Sequence, residues 1–165
     1  MIMIAVYVSA MVAANLLVAT FGPAISPINA FVLIGLDLAL RDRLHEKWKN
    51  SKLTLKMVAL IFGSGAISFM LDQSTGMIAL ASMAAFIASN IADALIYHVL
   101  RAKPYLVKSN GSNIVGAAVD SCVFPTLAFG SIMPEIMLLQ FGAKVAGGFV
   151  WSIVLNQMSN GEKAA

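Results

Sequence analysis

The sequence predicts an all-α integral membrane protein with six transmembrane helices, and three observations carry that expectation. Of 165 residues, 59% are hydrophobic and only 12% charged, with a mean hydropathy of +0.85, outside the range of an ordinary soluble domain. Apolar runs long enough to cross a hydrocarbon core of about 30 Å recur along the whole chain. Turn-forming residues stand between the runs, which leave no room for a soluble domain, so residues 1–165 read as a single six-span domain.

The expected spans are 3–21, 28–44, 55–71, 77–100, 112–132 and 136–157. The first, "MIMIAVYVSAMVAANLL", is apolar from its first residue, has no basic leader and no clear cleavage site, and reads as a retained span. "GPAISP" ends it. The second run loses its apolar character after Leu40, where the basic segment "RDRLHEKWKNSK" begins, and its amphipathic tail suits an interface. His45 falls in the loop that follows. "DQSTG" closes the third span, "KSNG" opens the fifth, and Pro134 opens the sixth.

Charge orients the set. Nine of the eleven Lys and Arg residues fall in or beside two loops: Arg41, Arg43, Lys47, Lys49, Lys52 and Lys56, then Arg101, Lys103 and Lys108. The alternate loops around 22–27, 72–76 and 131–135 carry none. Both basic loops and both termini are therefore expected on the cytoplasmic side of the inner membrane. The net charge of +3 reflects this topology and gives no reason to expect nucleic-acid binding. A single cysteine, Cys122, excludes an internal disulfide and any multi-cysteine metal site.

The residues left inside the spans carry the functional information. An ionisable side chain near the bilayer centre costs at least about 2.5–3.5 kcal/mol, so it persists where it faces a polar interior. Asp37, Asp93, Asp120 and Lys144 are of this kind. Helical spacing places partners beside three of them: Asn90, Asp93 and Tyr97 in the fourth span, Asn113, Asp120 and Phe124 in the fifth, and Gln140, Lys144 and Trp151 in the sixth. Asp120 and Lys144 lie near the centres of their spans, where pairing is the least costly way to keep both charged. Two readings of that pair stand: packing glue between helices, or part of a small-molecule site. Pro125 favours the second, because it lacks an N–H and so leaves the Ser121 carbonyl without its helical partner beside Asp120. Asp37 and Arg41, at i and i+4, form a local pair that sets topology. His98 sits at the interface. "GAKVAGG" and Ala10 with Ala14 predict close helix packing. No metal-ligand cluster, cofactor motif or nucleophile–base pair is apparent, so an enzyme is not expected.

Four stretches, "SPINAFVLIGLDLALRDRL", "FIASNIADALIYHVLRAKP", "SNIVGAAVDSCVFPTLAFG" and "LLQFGAKVAGG", resemble in order and spacing the queuosine precursor transporter family, also described as the vitamin uptake transporter family. The resemblance runs from Asn15 in "AANLL" to Gly148 and includes Asp37, Asp93, Asp120 and Lys144. The chain departs from the pattern in its clipped loops and in Asn90, where a glutamine is common. The resemblance implies a six-span fold similar to the substrate-binding component of energy-coupling-factor transporters. It also implies import of 7-cyano-7-deazaguanine or 7-aminomethyl-7-deazaguanine. Such a base presents an N–H and an amino group that one carboxylate accepts together, for which Asp120 is the candidate. Its carbonyl needs a donor such as Lys144 or an amide. Its flat ring suits aromatic walls, with Phe124, Tyr97 and Trp151 as candidates. Asn90, Gln140 and Asp93 complete the expected substrate-binding set; Asp93, nearer the cytoplasmic end of its span, would affect transport rate more than affinity if it also serves exit or a proton step. Two alternatives are a substrate-binding subunit of an ATP-driven vitamin or nucleobase uptake complex, and a non-transporting membrane scaffold. Expected partners are the base, membrane lipid, and a second copy or an energising module.

Overall fold

The computed structural model describes the backbone of residues 2–48, 52–100, 102–103 and 105–164. The side chains of residues 42, 45, 46, 53, 54, 94, 97, 105–110, 112 and 159–164 lie outside the described set. The helices are α1 (Ile2–Phe21), α2 (Ser26–Asn29), α3 (Gly35–Trp48), α4 (Leu53–Leu71), α5 (Gly76–Val99), α6 (Tyr105–Phe129) and α7 (Pro134–Ala164). A π-turn, Ala30–Ile34, joins α2 to α3 without interruption, so the seven helices form six rods, and no strand occurs among the described residues.

Three helices are long and apolar enough to cross a membrane, Ile2–Arg41, Gln73–Asp93 and Pro134–Met158, and Leu55–Leu71 and Asn113–Phe129 are shorter apolar helices. The first of these, 40 residues long, bends sharply where Gly22 adopts φ +68°, a conformation that only glycine takes without strain. Pro23 then sits in the first turn of the 3-10 segment Gly22–Ile25. Asn29 Nδ2 donates to the Ala14 carbonyl at 3.1 Å, and Tyr7 and Met11 meet Leu40 and Leu44 in one buried cluster. Rising numbers on one rod face falling numbers on the other, so this is an antiparallel hairpin.

Helix α4 lies beside α1 in the same direction. Ser64 Oγ donates to Met11 Sδ at 3.4 Å and Asn15 Nδ2 donates to Ser68 Oγ at 3.1 Å, a constant offset of 53 residues. Met57 and Ile61 complete the core cluster. Ser82 Oγ of α5 donates to Asn15 Oδ1 at 3.0 Å, so one asparagine ties three rods together. In lipid no water is expelled when helices meet, and such hydrogen bonds and close packing hold the rods. Large apolar side chains, among them Phe21, Met70, Leu71, Met77 and Leu138, face outward, as lipid contact requires.

Backbones touch where the second rod crosses α7. A Cβ on Gly147 would lie 2.2 Å from the Phe31 carbonyl oxygen, and one on Gly35 would lie 2.6 Å from the Gly147 carbonyl carbon. Nothing larger than glycine fits at Gly147, as the small-residue pattern in "GAKVAGG" predicts.

The remaining joints differ from expectation in two places. Helix α6 begins at Tyr105, so "KSNG", Lys108–Gly111, is helical and does not form a joint. Gly111 and its neighbours are poor helix formers, but the turn packs against α5, where a Cβ on Gly111 would lie 2.9 Å from Leu100 Cδ1, and such packing overrides propensity. His45 is likewise inside α3, which runs to Trp48. The α4–α5 joint is as expected: Asp72 accepts from the Ser74 backbone N–H at 2.8 Å. Donation from the Ser74 side chain and backbone holds the Asp72 carboxyl below the usual carboxylate range.

Candidate functional site

A cavity of about 410 Å³ opens between α1, the second rod, α5, α6 and α7. Its wall on α7 follows one ridge at four-residue steps, Gln140, Lys144, Gly148 and Ser152, with Val145 and Phe149 beside it. On α6 the wall is Asn113, Gly116, Ala117, Asp120 and Phe124, and on α5 it is Ser82, Phe86, Ser89, Asn90 and Asp93. Asn15 comes from α1, and Ser26, Asn29, Asp37 and Arg41 from the second rod.

The chemistry centres on α6 and α7. Lys144 is 3% exposed, and its Nζ forms an ion pair with Asp120 Oδ2 and donates to Gln140 Oε1 at 3.2 Å. A charged amine at that depth is tolerable because two acceptors hold it. Gln140 is 1% exposed, and its Nε2 has no hydrogen-bond partner among the described residues. Pro125 is buried inside α6 one turn beyond Ser121. Phe124 stands on the same helix, edge-on to Phe129 with ring centroids 6.2 Å apart.

The second rod brings a separate polar group. Tyr7, fully buried on α1, is within electrostatic range of both Asp37 and Arg41. The Arg41 guanidinium lies 5.9 Å from the centroid of the Phe86 ring. Asn90 Nδ2 donates to the Phe86 carbonyl at 2.7 Å, leaving its oxygen side toward the cavity.

The sites expected from the sequence thus distribute unevenly. Asn15, Asp37, Arg41, Asn90, Asp93, Asp120, Phe124, Gln140 and Lys144 share one cavity wall system. Trp151 does not line it, because the cavity follows the four-residue ridge to Ser152 and leaves position 151 about 100° aside. The Tyr97 side chain lies outside the described set. Sequence reasoning missed Ser26 and Asn29, both buried and cavity-lining with an unpartnered oxygen. Ser26 fell in the expected joint, on the strength of Gly22, Pro23 and Pro27, and Asn29 lay inside the expected second span without being singled out. Phe86 and Phe149, the other aromatic walls, were indistinguishable from lipid-facing residues. No group of three His, Cys, Asp or Glu among the described residues could hold a metal ion.

Neither the curated proteins nor the solved structures include a match to the chain. A family model described as "putative vitamin uptake transporter" matches residues 1–156, nearly the whole length. An all-helical membrane protein with a cavity among its helices is consistent with that description. The chain belongs to the vitamin uptake transporter family.

Proposed function

We propose that this protein, one six-span unit across the cytoplasmic membrane with both termini inside, imports a queuosine precursor, 7-cyano-7-deazaguanine or its 7-aminomethyl counterpart. The observation that carries the reading is the chain from half-buried Asp120 to buried Lys144 and Gln140 on the wall of a cavity of about 410 Å³, a volume within the range of small-molecule sites. Asp120 accepts from the N–H and amino group on one edge of the base. Lys144 and the free Gln140 Nε2 donate to its carbonyl, and Phe124 and Phe86 supply flat apolar surface. A pure packing pair would not need an amide donor left unpartnered beside it.

Accumulation of radiolabelled 7-cyano-7-deazaguanine in precursor-starved cells tests this directly. Expression of the chain is expected to raise uptake well above the empty host. No uptake in any host rejects the reading, and uptake only alongside an ATP-driven module makes the chain a binding subunit. Orientation is tested by labelling in a Cys122-free background, where Lys47→Cys should react only from the cytoplasm and Ser74→Cys only from outside.

A further inference from the structure

We infer that the cavity selects a ligand with a single positive charge and that Asp93 receives that charge. This rests on the deazaguanine reading and, within it, favours the 7-aminomethyl base over the 7-cyano base. Five ionisable side chains line the cavity: Asp37, Asp93, Asp120, Arg41 and Lys144. Lys144 is taken by Asp120 and Gln140. Arg41 shares a helix face with Asp37 at i, i+4 and covers Phe86. Two cations therefore face three carboxylates, and the carboxylate in excess is Asp93. Its Oδ1 is buried and has no hydrogen-bond partner among the described residues.

The position of Asp93 fits a ligand already held by Asp120. Gly116 of α6 lets α5 come close: a Cβ there would lie 3.4 Å from the Ser89 carbonyl oxygen and 3.6 Å from Asp93 Cβ. Asp93 thus packs beside the α6 backbone one turn before Asp120, a step of about 6 Å along the helix. A fused bicyclic base with its donor edge on Asp120 has room to carry a substituent on its far side toward Asp93. The 7-aminomethyl group is a primary amine and is protonated at neutral pH. Its ammonium supplies the donors that Asp93 Oδ1 lacks, whereas a cyano group is an acceptor and leaves the carboxylate buried without a partner.

The same tally disfavours anions. Lys144 has two acceptors, Arg41 shares a helix face with Asp37 and covers Phe86 although its Nε has no hydrogen-bond partner among the described residues, and Gln140 Nε2, also unpartnered, is neutral. It suits a carbonyl, and a carboxylate or phosphate entering this cavity would meet the excess negative charge of Asp93. Asp93 is therefore the residue that senses the ligand's charge, a narrower role than its place in the expected substrate-binding set.

Isothermal titration of the purified full-length protein with each base at neutral pH tests the inference. Wild type is expected to bind the 7-aminomethyl base ~10- to 100-fold more tightly than the 7-cyano base. Asp93→Asn should bring the two affinities together by weakening the first and leaving the second within about threefold. Asp93→Glu, which keeps the charge, should retain the preference and so separates loss of charge from loss of fold. Equal wild-type affinities, or a preference that survives Asp93→Asn, overturn the inference while the deazaguanine reading stands. Binding of neither base by wild type overturns both.

Discussion

Two polar regions of this protein are built from similar side chains and left in opposite states. Between α1, α4 and α5, Asn15 uses both ends of its amide, donating to Ser68 and accepting from Ser82, while Ser68 and Ser64 return their hydroxyls to helix carbonyls. Around the cavity, Gln140 Nε2, Asn29 Oδ1, Ser26 Oγ and Asp93 Oδ1 have no hydrogen-bond partner among the described residues. Satisfied polar groups in lipid join helices, and their energy is spent in the folded state alone. Unsatisfied ones cost stability until a ligand meets them. On the proposed function, the contrast separates residues that hold the bundle from residues that await a substrate.

The largest effect is expected at the Asp120–Lys144 ion pair on the cavity wall. Lys144→Met leaves the half-buried Asp120 carboxylate without its partner and should destabilise the protein by about 3 kcal/mol, read as a fall in thermal midpoint in detergent. Asp120→Asn should act next most strongly, on binding more than on folding. An amide keeps the shape but turns one acceptor into a donor facing the donors of the base. A loss of about 2–4 kcal/mol, roughly 30- to 1000-fold in affinity, is expected in equilibrium titration. Ser68→Ala in the satisfied clamp should do the reverse. It removes a hydrogen bond between rods worth about 1 kcal/mol in a bilayer, lowers thermal stability slightly, and leaves ligand affinity unchanged. An affinity loss in Ser68→Ala as large as in Asp120→Asn would erase the distinction between the regions.

Much of the fold was legible in the sequence because lipid imposes a coarse length and composition on every span, and ionisable residues that violate it stand out. Asp93, Asp120 and Lys144 announced themselves in that way, and the cavity gathers all three. What stayed hidden has physical causes. Ser26 sits in a segment whose prolines signal a joint, and Asn29 is a neutral amide at the edge of a span with no charge to mark it, but the π-turn Ala30–Ile34 carries the segment directly into the second rod and both residues line the cavity. The early start of α6 at Tyr105 was masked by Ser, Asn and Gly, whose poor propensity is overridden by contact with α5. Trp151 illustrates the limit of spacing arguments: a stripe drawn at eleven residues cannot tell which of two adjacent ridges the neighbouring helices leave open. Likewise, an aromatic such as Phe86 or Phe149 reads the same whether it faces lipid or ligand.

The central claim is that Asp120 and Lys144 read a ligand as well as each other, and exchanging them tests it most directly. Asp120→Lys combined with Lys144→Asp preserves an ion pair between α6 and α7 but presents an ammonium where the donor edge of the base must bind. Equilibrium binding of the 7-deazaguanine bases to the purified exchanged protein, with its thermal midpoint recorded alongside, is the decisive measurement. The account predicts a midpoint close to wild type with binding lost. Native affinity in the exchanged protein would contradict it and return the pair to the role of packing glue.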